Sequence, residues 1–408
     1  MPRILYGNFD FEHELAATSY NRPKQLERLN AELSTHLLAI AEGGDFLFSG
    51  GAGSACFPAS FAIAGFSDVR GVESGRLPTH DAEFVPWGCS RPAISLAASR
   101  GWNFSGPPPE VVAAVNSRAF SFERERQNNS AIPGAVEIDS GDTLEAAIRS
   151  AADVWNRPVA EFDWLVKAEF GMSGRERISG NGTSPDDSQV RWICRRLASG
   201  ERLFFEPRVE SLGELSSQWM ISQAEFDGLS SAEPELIGAT QLLVDRSGQY
   251  LGSILVDASS IESPVLGPGD EGFWLSRQTF ELAVQNARSV AEAAQQLGYH
   301  GPLGVDSMVY LSPNGEPAFR PIQDVNARFT MGRIALEWFR RFAETDQPAW
   351  LLVPEVWLNQ RGIAAAPDNP VVRLTSPNVV AGQPVRRVGV LIDDPGDWRK
   401  LLATDLRP

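Results

Sequence analysis

The residues best suited to chemistry lie near position 325. Asp324, Asn326 and Arg328 stand at alternate positions in QDVNAR, and alternate residues of a strand share one face. A carboxylate, an amide oxygen and a guanidinium in a row suit a metal-bound phosphate better than a hydrophobic core. Asp306 lies in the preceding apolar run, 303–311, and the following run is 318–329. Between them Asn314-Gly315, flanked by Pro313 and Pro317, marks a turn. If the loop centres on Gly315, Asp306 faces Asp324 and the two carboxylates could share one cation. A two-residue Asn-Gly turn would instead pair 306 with 323 and send the carboxylates to opposite faces. The prolines, symmetric about Gly315, favour the odd-length loop. The plain alternative is a solvated hairpin rim with a surface ion pair.

A second group surrounds Lys167. The chain has 36 basic residues, of which only Lys24, Lys167 and Lys400 are lysines. An isolated internal lysine is therefore informative where arginine serves as the general cation. Lys167 ends an apolar strand, 162–168, and glycines follow at 171, 174, 180 and 182, with Ser173, Arg175 and Arg177 among them. Such a loop exposes backbone N–H groups and can close over phosphates, although no GKS or GKT sequence makes it a Walker A loop. Its plain alternative is a hairpin tip. A further apolar strand, 202–206, breaks at Pro207, and Glu206, Arg208 and Glu210 follow in extended chain. That exit could present backbone groups to a purine, or could simply be a buried strand leaving a sheet.

These groups need elements to hold them. Residues 3–7 and 45–49 predict strands around an amphipathic helix over 24–42, with Leu26, Leu29, Leu33, Leu37 and Ile40 on one stripe. Gly50-Gly51-Ala52-Gly53-Ser54 follows, but Cys56 stands where a dinucleotide fingerprint has its third glycine. A break at 105–109 leads into a helix near Glu110, and helices are predicted over 143–152, 189–198, 275–297 and 333–344. Strands are expected over 218–226 and 238–257, and the run 261–272 reads as loop. Residues 366–395 carry β-like runs without an assignable role.

Composition bounds the rest. A chain of 408 residues, 43% hydrophobic and 22% charged, is long enough for two or three domains with full cores. A net charge of −16 argues against nucleic acid as the main partner. No apolar run approaches the ~20 residues of a membrane span. The acidic start MPRILYGNFDFEHEL has no apolar core, so no secretory leader is expected. Cys56, Cys89 and Cys194 are scattered and odd in number, which suggests neither a disulfide scaffold nor a zinc site. The expectation is a reduced, cytoplasmic protein.

Taken in order, these motifs resemble the ATP-grasp superfamily. VKAEFGMSGR resembles its lysine strand and phosphate lid, LFFEPRVE its adenine hinge, and GPLGVDSMVY and QDVNAR its two metal-binding strands. PEVVAAVNSRAF is similar to the segment from which a cation reaches the nucleotide. The likeness covers roughly 105–340, and the preceding region is similar to the pre-ATP-grasp domain. The resemblance implies an α/β (α+β) protein: a pre-ATP-grasp domain over 1–110, an N-lobe with the lid over 111–205, a C-lobe with the metal hairpin over 206–345, and an extension over 346–408. It implies that Lys167 and Arg118 contact ATP phosphates, that Gly171, Ser173 and Gly174 form the lid, and that Glu206 lies at the adenine or ribose. It further implies that Asp306, Asp324 and Asn326 bind Mg2+ and that Arg328 steadies charge on the transferred phosphoryl group. Asp324 departs from the usual glutamate, and Arg118 stands where lysine is common.

The implied activity is an ADP-forming ligase that joins a small carboxylate to an amine or thiol through an acyl phosphate. A phosphotransferase on the same fold and a nucleotide-binding regulator without turnover are the alternatives. The substrates are small molecules that the sequence does not name, and neither does it give the oligomeric state.

Overall fold

In the computed structural model, the residues described are 1–17, 20–49, 66, 68–71, 77–78, 81–171, 176–223, 232–244, 249–256, 261, 275–380 and 382–394. The glycine run at 50–54 and most of 261–272 lie outside them. Among the described residues the strands form two four-stranded sheets, an eight-stranded sheet and a two-stranded ribbon.

The first sheet is parallel. It is built from β1 (Arg3–Tyr6), β2 (Phe46–Phe48), β3 (Arg70–Gly71) and β4 (Glu83–Pro86), in the order β3-β2-β1-β4. Helices α1 (Phe11–Ala16), α2 (Lys24–Ser34) and α3 (Arg91–Arg100) accompany it, as parallel connections require. The amphipathic stripe expected to run unbroken to residue 42 tightens instead into a 3-10 helix over Thr35–Ile40. Helix α3 shows why its ends fall where they do. Ser90 caps its first turn by accepting from the Ala93 N–H, and Gly101 ends it with φ +68°.

Helices α4 (Pro109–Asn116) and α5 (Arg118–Gln127) carry the chain into a second sheet. Strands β5 (Val136–Ile138), β6 (Asp163–Ala168), β7 (Arg177–Asn181) and β8 (Leu203–Pro207) lie in the order β5-β8-β6-β7. Helices α6 (Gly141–Val154) and α7 (Asp187–Ala198) cover it. Trp164, Val166, Phe205, Leu144 and Ile148 fill its core.

The eight-stranded sheet holds β9 (Ser211–Ile221), β10 (Glu235–Val244), β11 (Tyr250–Val256), β12 (Gly301–Leu311), β13 (Pro317–Asn326) and β14 (Ala349–Val353). Two strands of the C-terminal segment complete it: β15 (Val372–Leu374) and, beyond the β16 (Val379–Val380) and β17 (Gln383–Pro384) ribbon, β18 (Val388–Ile392). That gives the described part of 366–394 a role the sequence left open, with Leu351, Val353, Val388, Val390 and Ile392 sharing a core. Helix α8 (Arg277–Gln296) lays Ala283, Ala287, Val290, Ala291 and Ala294 on the sheet, small residues that allow a close approach. Helix α9 (Met331–Phe342) follows the hairpin, and α10 (Glu355–Gln360) follows β14.

The β12–β13 hairpin joins two cores. Leu303 and Val305 pack into the large core that also contains Leu5, Phe11, Trp87 and Trp338. Met308 and Tyr310 pack into the core of the second four-stranded sheet. On the even-numbered face of β12, Asp306 therefore stands where the covering sheet ends and a cavity begins. Among the described residues no helix is long and apolar enough to cross a membrane.

Candidate active site

The hairpin register places Asp306 opposite Asp324 and Gly304 opposite Asn326. The carboxylates share a face, but not for the reason the turn suggests. Leu311 pairs with Pro317, so the loop spans 312–316 and centres on Asn314 rather than Gly315. An unbroken ladder from there would set Asp306 against Ile322. Met308 still faces Arg320 as that ladder requires, but Asp306 faces Asp324. Ser307 alone then spans what Pro321, Ile322 and Gln323 span on the other strand. This irregularity adds two residues to β13 and keeps the face. Since β13 is an edge of the sheet, it tolerates Pro317 and Pro321.

A cavity of about 240 Å³ opens over this face. Its walls include Arg118, Lys167, Gly171, Asp306, Asp324, Asn326 and Arg328. Seven of the residues singled out from sequence thus converge from α5, β6 and its exit, β12, β13 and the turn after it. Ser173 and Gly174 lie outside the described residues. Arg118, delivered at the start of α5 by the Ser117 cap, sets its guanidinium 3.5 Å from Asp324. Asn326 donates to Asp306 Oδ2 at 3.1 Å, and Ser216 donates to Oδ1. Burial and the negative charges of Asp324 and Glu214 push the Asp306 carboxyl up to about 7. Near neutral pH the carboxyl is therefore only partly protonated, and a bound cation would favour its ionised form.

Lys167 is more enclosed than a residue at a cleft mouth would be, with a side chain 14% exposed. It pairs with Glu206, a diagonal neighbour across β6 and β8. Burial and the nearby Arg118 and Arg320 cations push its ammonium well below the ordinary lysine value. Glu206 is not among the cavity's walls. Its carboxylate bridges Lys167 and Arg320, the latter at 3.0 Å. Arg320 in turn holds Glu125 of α5 through both oxygens.

Arg328 reaches the cavity by a turn and not by strand alternation. Strand β13 ends at Asn326, and the Arg328 N–H donates back to the Asn326 carbonyl at 2.9 Å. The Arg328 guanidinium pairs with Glu12 of α1 at 2.7 Å and lies 5.7 Å from the ring centres of both Phe11 and Trp87. Sequence reasoning missed Glu214 and Ser216, which also line the cavity. Burial pushes the Glu214 carboxyl up, and the Lys167 charge opposes that shift. Strand β9 begins at Ser211, seven residues before the start expected from sequence. The available signal was the alternation of Leu215, Ser217, Trp219 and Ile221 against Glu214, Ser216 and Gln218.

No protein-family model matches the sequence, and no curated sequence matches it either. Solved structures do match over nearly the whole chain. An N5-carboxyaminoimidazole ribonucleotide synthetase in its ADP complex aligns over 99% of this chain and 96% of its own, with TM-score 0.53 and 10% identity. The corresponding synthetase of Staphylococcus aureus, complexed with ADP, aligns over 99% and 97%, with TM-score 0.51 and 9% identity. Phosphoribosylamine–glycine ligase of Thermotoga maritima aligns over 98% and 95%, with TM-score 0.51 and 12% identity. The fold is the ATP-grasp fold. The cavity is lined by the acidic hairpin of the eight-stranded sheet and by Lys167 of the second four-stranded sheet.

Proposed function

We propose that this protein is an ATP-dependent, ADP-forming ligase that activates a small carboxylate for attack by an amine or thiol. The observation that carries the reading is the facing of Asp306 and Asp324 in the same cavity as Asn326, Arg118 and Lys167. The donor set suits Mg2+, which takes hard oxygen ligands and keeps one or two carboxylates beside substrate phosphates. With its Nδ2 turned to Asp306, Asn326 can offer its amide oxygen as a third such donor. When bound, Mg2+ would offset phosphate charge and orient the terminal phosphoryl group.

The chain's own residues have distinct tasks. Lys167 and Arg118, both in the cavity wall, would meet the phosphate oxygens of bound ATP. Arg328, held by Glu12, adds a third fixed charge at the far end of the acidic strand. Preorganised cations of this kind stabilise charge that grows during transfer. A carboxylate oxygen of the substrate attacks the γ-phosphorus, and the bond to the ADP oxygen breaks. The amine or thiol then attacks the acyl carbon, and inorganic phosphate leaves.

The test is a screen of ADP and phosphate release across small carboxylic acids, with and without amines. An acid that stimulates release of both products in step supports the ligase. Release of ADP with the phosphoryl group retained on a stable ester would replace it with a phosphotransferase. Nucleotide binding without any turnover would leave a regulator.

A further inference from the structure

Behind Asp306 runs a line of buried polar side chains. Ser216 and Gln218 of β9 are each 2% exposed, and Thr330, the cap of α9, is 6% exposed. The Thr330 hydroxyl donates to the Gln218 amide oxygen. The Gln218 Nε2 donates to the Ser216 hydroxyl at 2.7 Å. Ser216 donates to Asp306 Oδ1. At the other end, the Thr330 oxygen accepts from the Arg333 N–H at 3.0 Å in the first turn of α9.

With Asp306 ionised, the form that holds a cation, the direction of this chain is forced. A hydroxyl has one proton. Ser216 gives its proton to the carboxylate, so its oxygen must accept, and only the amino end of Gln218 can serve it. The amide oxygen then faces Thr330. The backbone makes room for the line at two glycines. A Cβ at Gly304 would stand 2.5 Å from Thr330 Cγ2, and one at Gly332 would stand 2.9 Å from Gln218 Nε2. A buried amide is retained at a cost unless it is hydrogen-bonded, and here one of its bonds leads through Ser216 to the carboxylate and the other to Thr330.

We propose that Ser216, Gln218 and Thr330 are positioning residues, a one-way hydrogen-bond chain from the start of α9 that fixes Asp306 for a divalent cation. The proposal rests on the reading of the hairpin as a metal site. Asn326 holds the second oxygen of Asp306, so the carboxylate plane is set at both ends before a cation arrives. Groups that orient a ligand in this way typically contribute about tenfold to a hundredfold in metal affinity.

The experiment measures Mn2+ binding to the full chain with ADP present, by the loss of the free Mn2+ EPR signal. ADP binding in EDTA is measured alongside. Gln218→Leu is expected to weaken Mn2+ binding by about tenfold or more, with ADP affinity in EDTA unchanged. Thr330→Val should do the same, and Thr330→Ser, which keeps the donor and the cap, should restore ordinary Mn2+ affinity. If Gln218→Leu does not fold, the Thr330→Val and Thr330→Ser pair decides. Folded variants that bind Mn2+ as tightly as the unmutated protein overturn the chain and leave the metal site standing. An unmutated protein that binds no Mn2+ overturns both together.

Discussion

At the scale of single residues, Lys167 and Asp324 are the most exacting tests of the site. Lys167→Ala should leave the fold intact, because Glu206 keeps its second partner in Arg320. It should weaken ATP binding roughly tenfold or more, about 1.4 kcal/mol per decade. Calorimetry showing an unchanged affinity would make the isolation of this lysine in the sequence a coincidence. Asp324→Asn should still bind ATP, since Lys167 and Arg118 remain, but should turn it over on the order of a hundredfold more slowly, about 3 kcal/mol. Equal turnover in that variant would dispose of the metal role. That both would stand in one cavity was legible because their types are unusual where they stand. Glu214, Ser216 and Gln218 were not, because polar side chains in a strand read as a solvated face until the strand is known to be covered. Glu206 was legible as a strand-end carboxylate, but its pairing with Lys167 depends on a cross-strand diagonal that no local pattern states.

At the scale of elements, the hairpin's chemistry depends on how β13 meets its neighbours. Arg320 of β13 ties α5 and β8 to the eight-stranded sheet through Glu125 and Glu206, with its side chain 4% exposed and that of Glu125 2% exposed. Removing one partner of such a buried set leaves an uncompensated charge. Arg320→Met should therefore lower stability in urea melts by about 3–5 kcal/mol, and Glu125→Gln added to it should recover part of the loss. A single variant within about 1 kcal/mol of the unmutated protein would show that the cluster is solvated and not a clasp. The hairpin itself was legible from Pro313, Asn314, Gly315 and Pro317, but its register was right for an incomplete reason. The loop centres one residue earlier than the prolines suggest, and the irregularity at 321–323 restores the facing of the two aspartates. Sequence alternation cannot report a bulge whose extra residues include a buried isoleucine, Ile322, that looks like any other core position.

Across the whole molecule, the N-terminal layer is joined to the ATP-grasp core by packing and by single polar contacts. One such polar contact is Glu12–Arg328, and the packing sets the His36 ring edge-on against Trp350, with ring centres 5.3 Å apart. Burial lowers the His36 imidazole to about 3 from 6.5. Between those values the unfolded chain binds the proton and the folded chain does not, so stability falls as pH drops through that window. Each pH unit below 6.5 contributes up to about 1.4 kcal/mol. His36→Gln should flatten the loss of stability between pH 6.5 and pH 5, as followed by thermal melts. An unchanged slope would assign acid sensitivity to the carboxylates instead.

The central claim, that this cavity activates a carboxylate at the expense of ATP, is tested most directly by trapping. The full-length protein is incubated with MgATP, hydroxylamine and a panel of small carboxylic acids, and hydroxamate is measured beside ADP. The account predicts that an acid which stimulates ADP formation also yields hydroxamate in comparable amount, and that Asp324→Asn yields scarcely any. ADP formed on stimulation by an acid, with no hydroxamate and the phosphoryl group found on a stable ester, would contradict it.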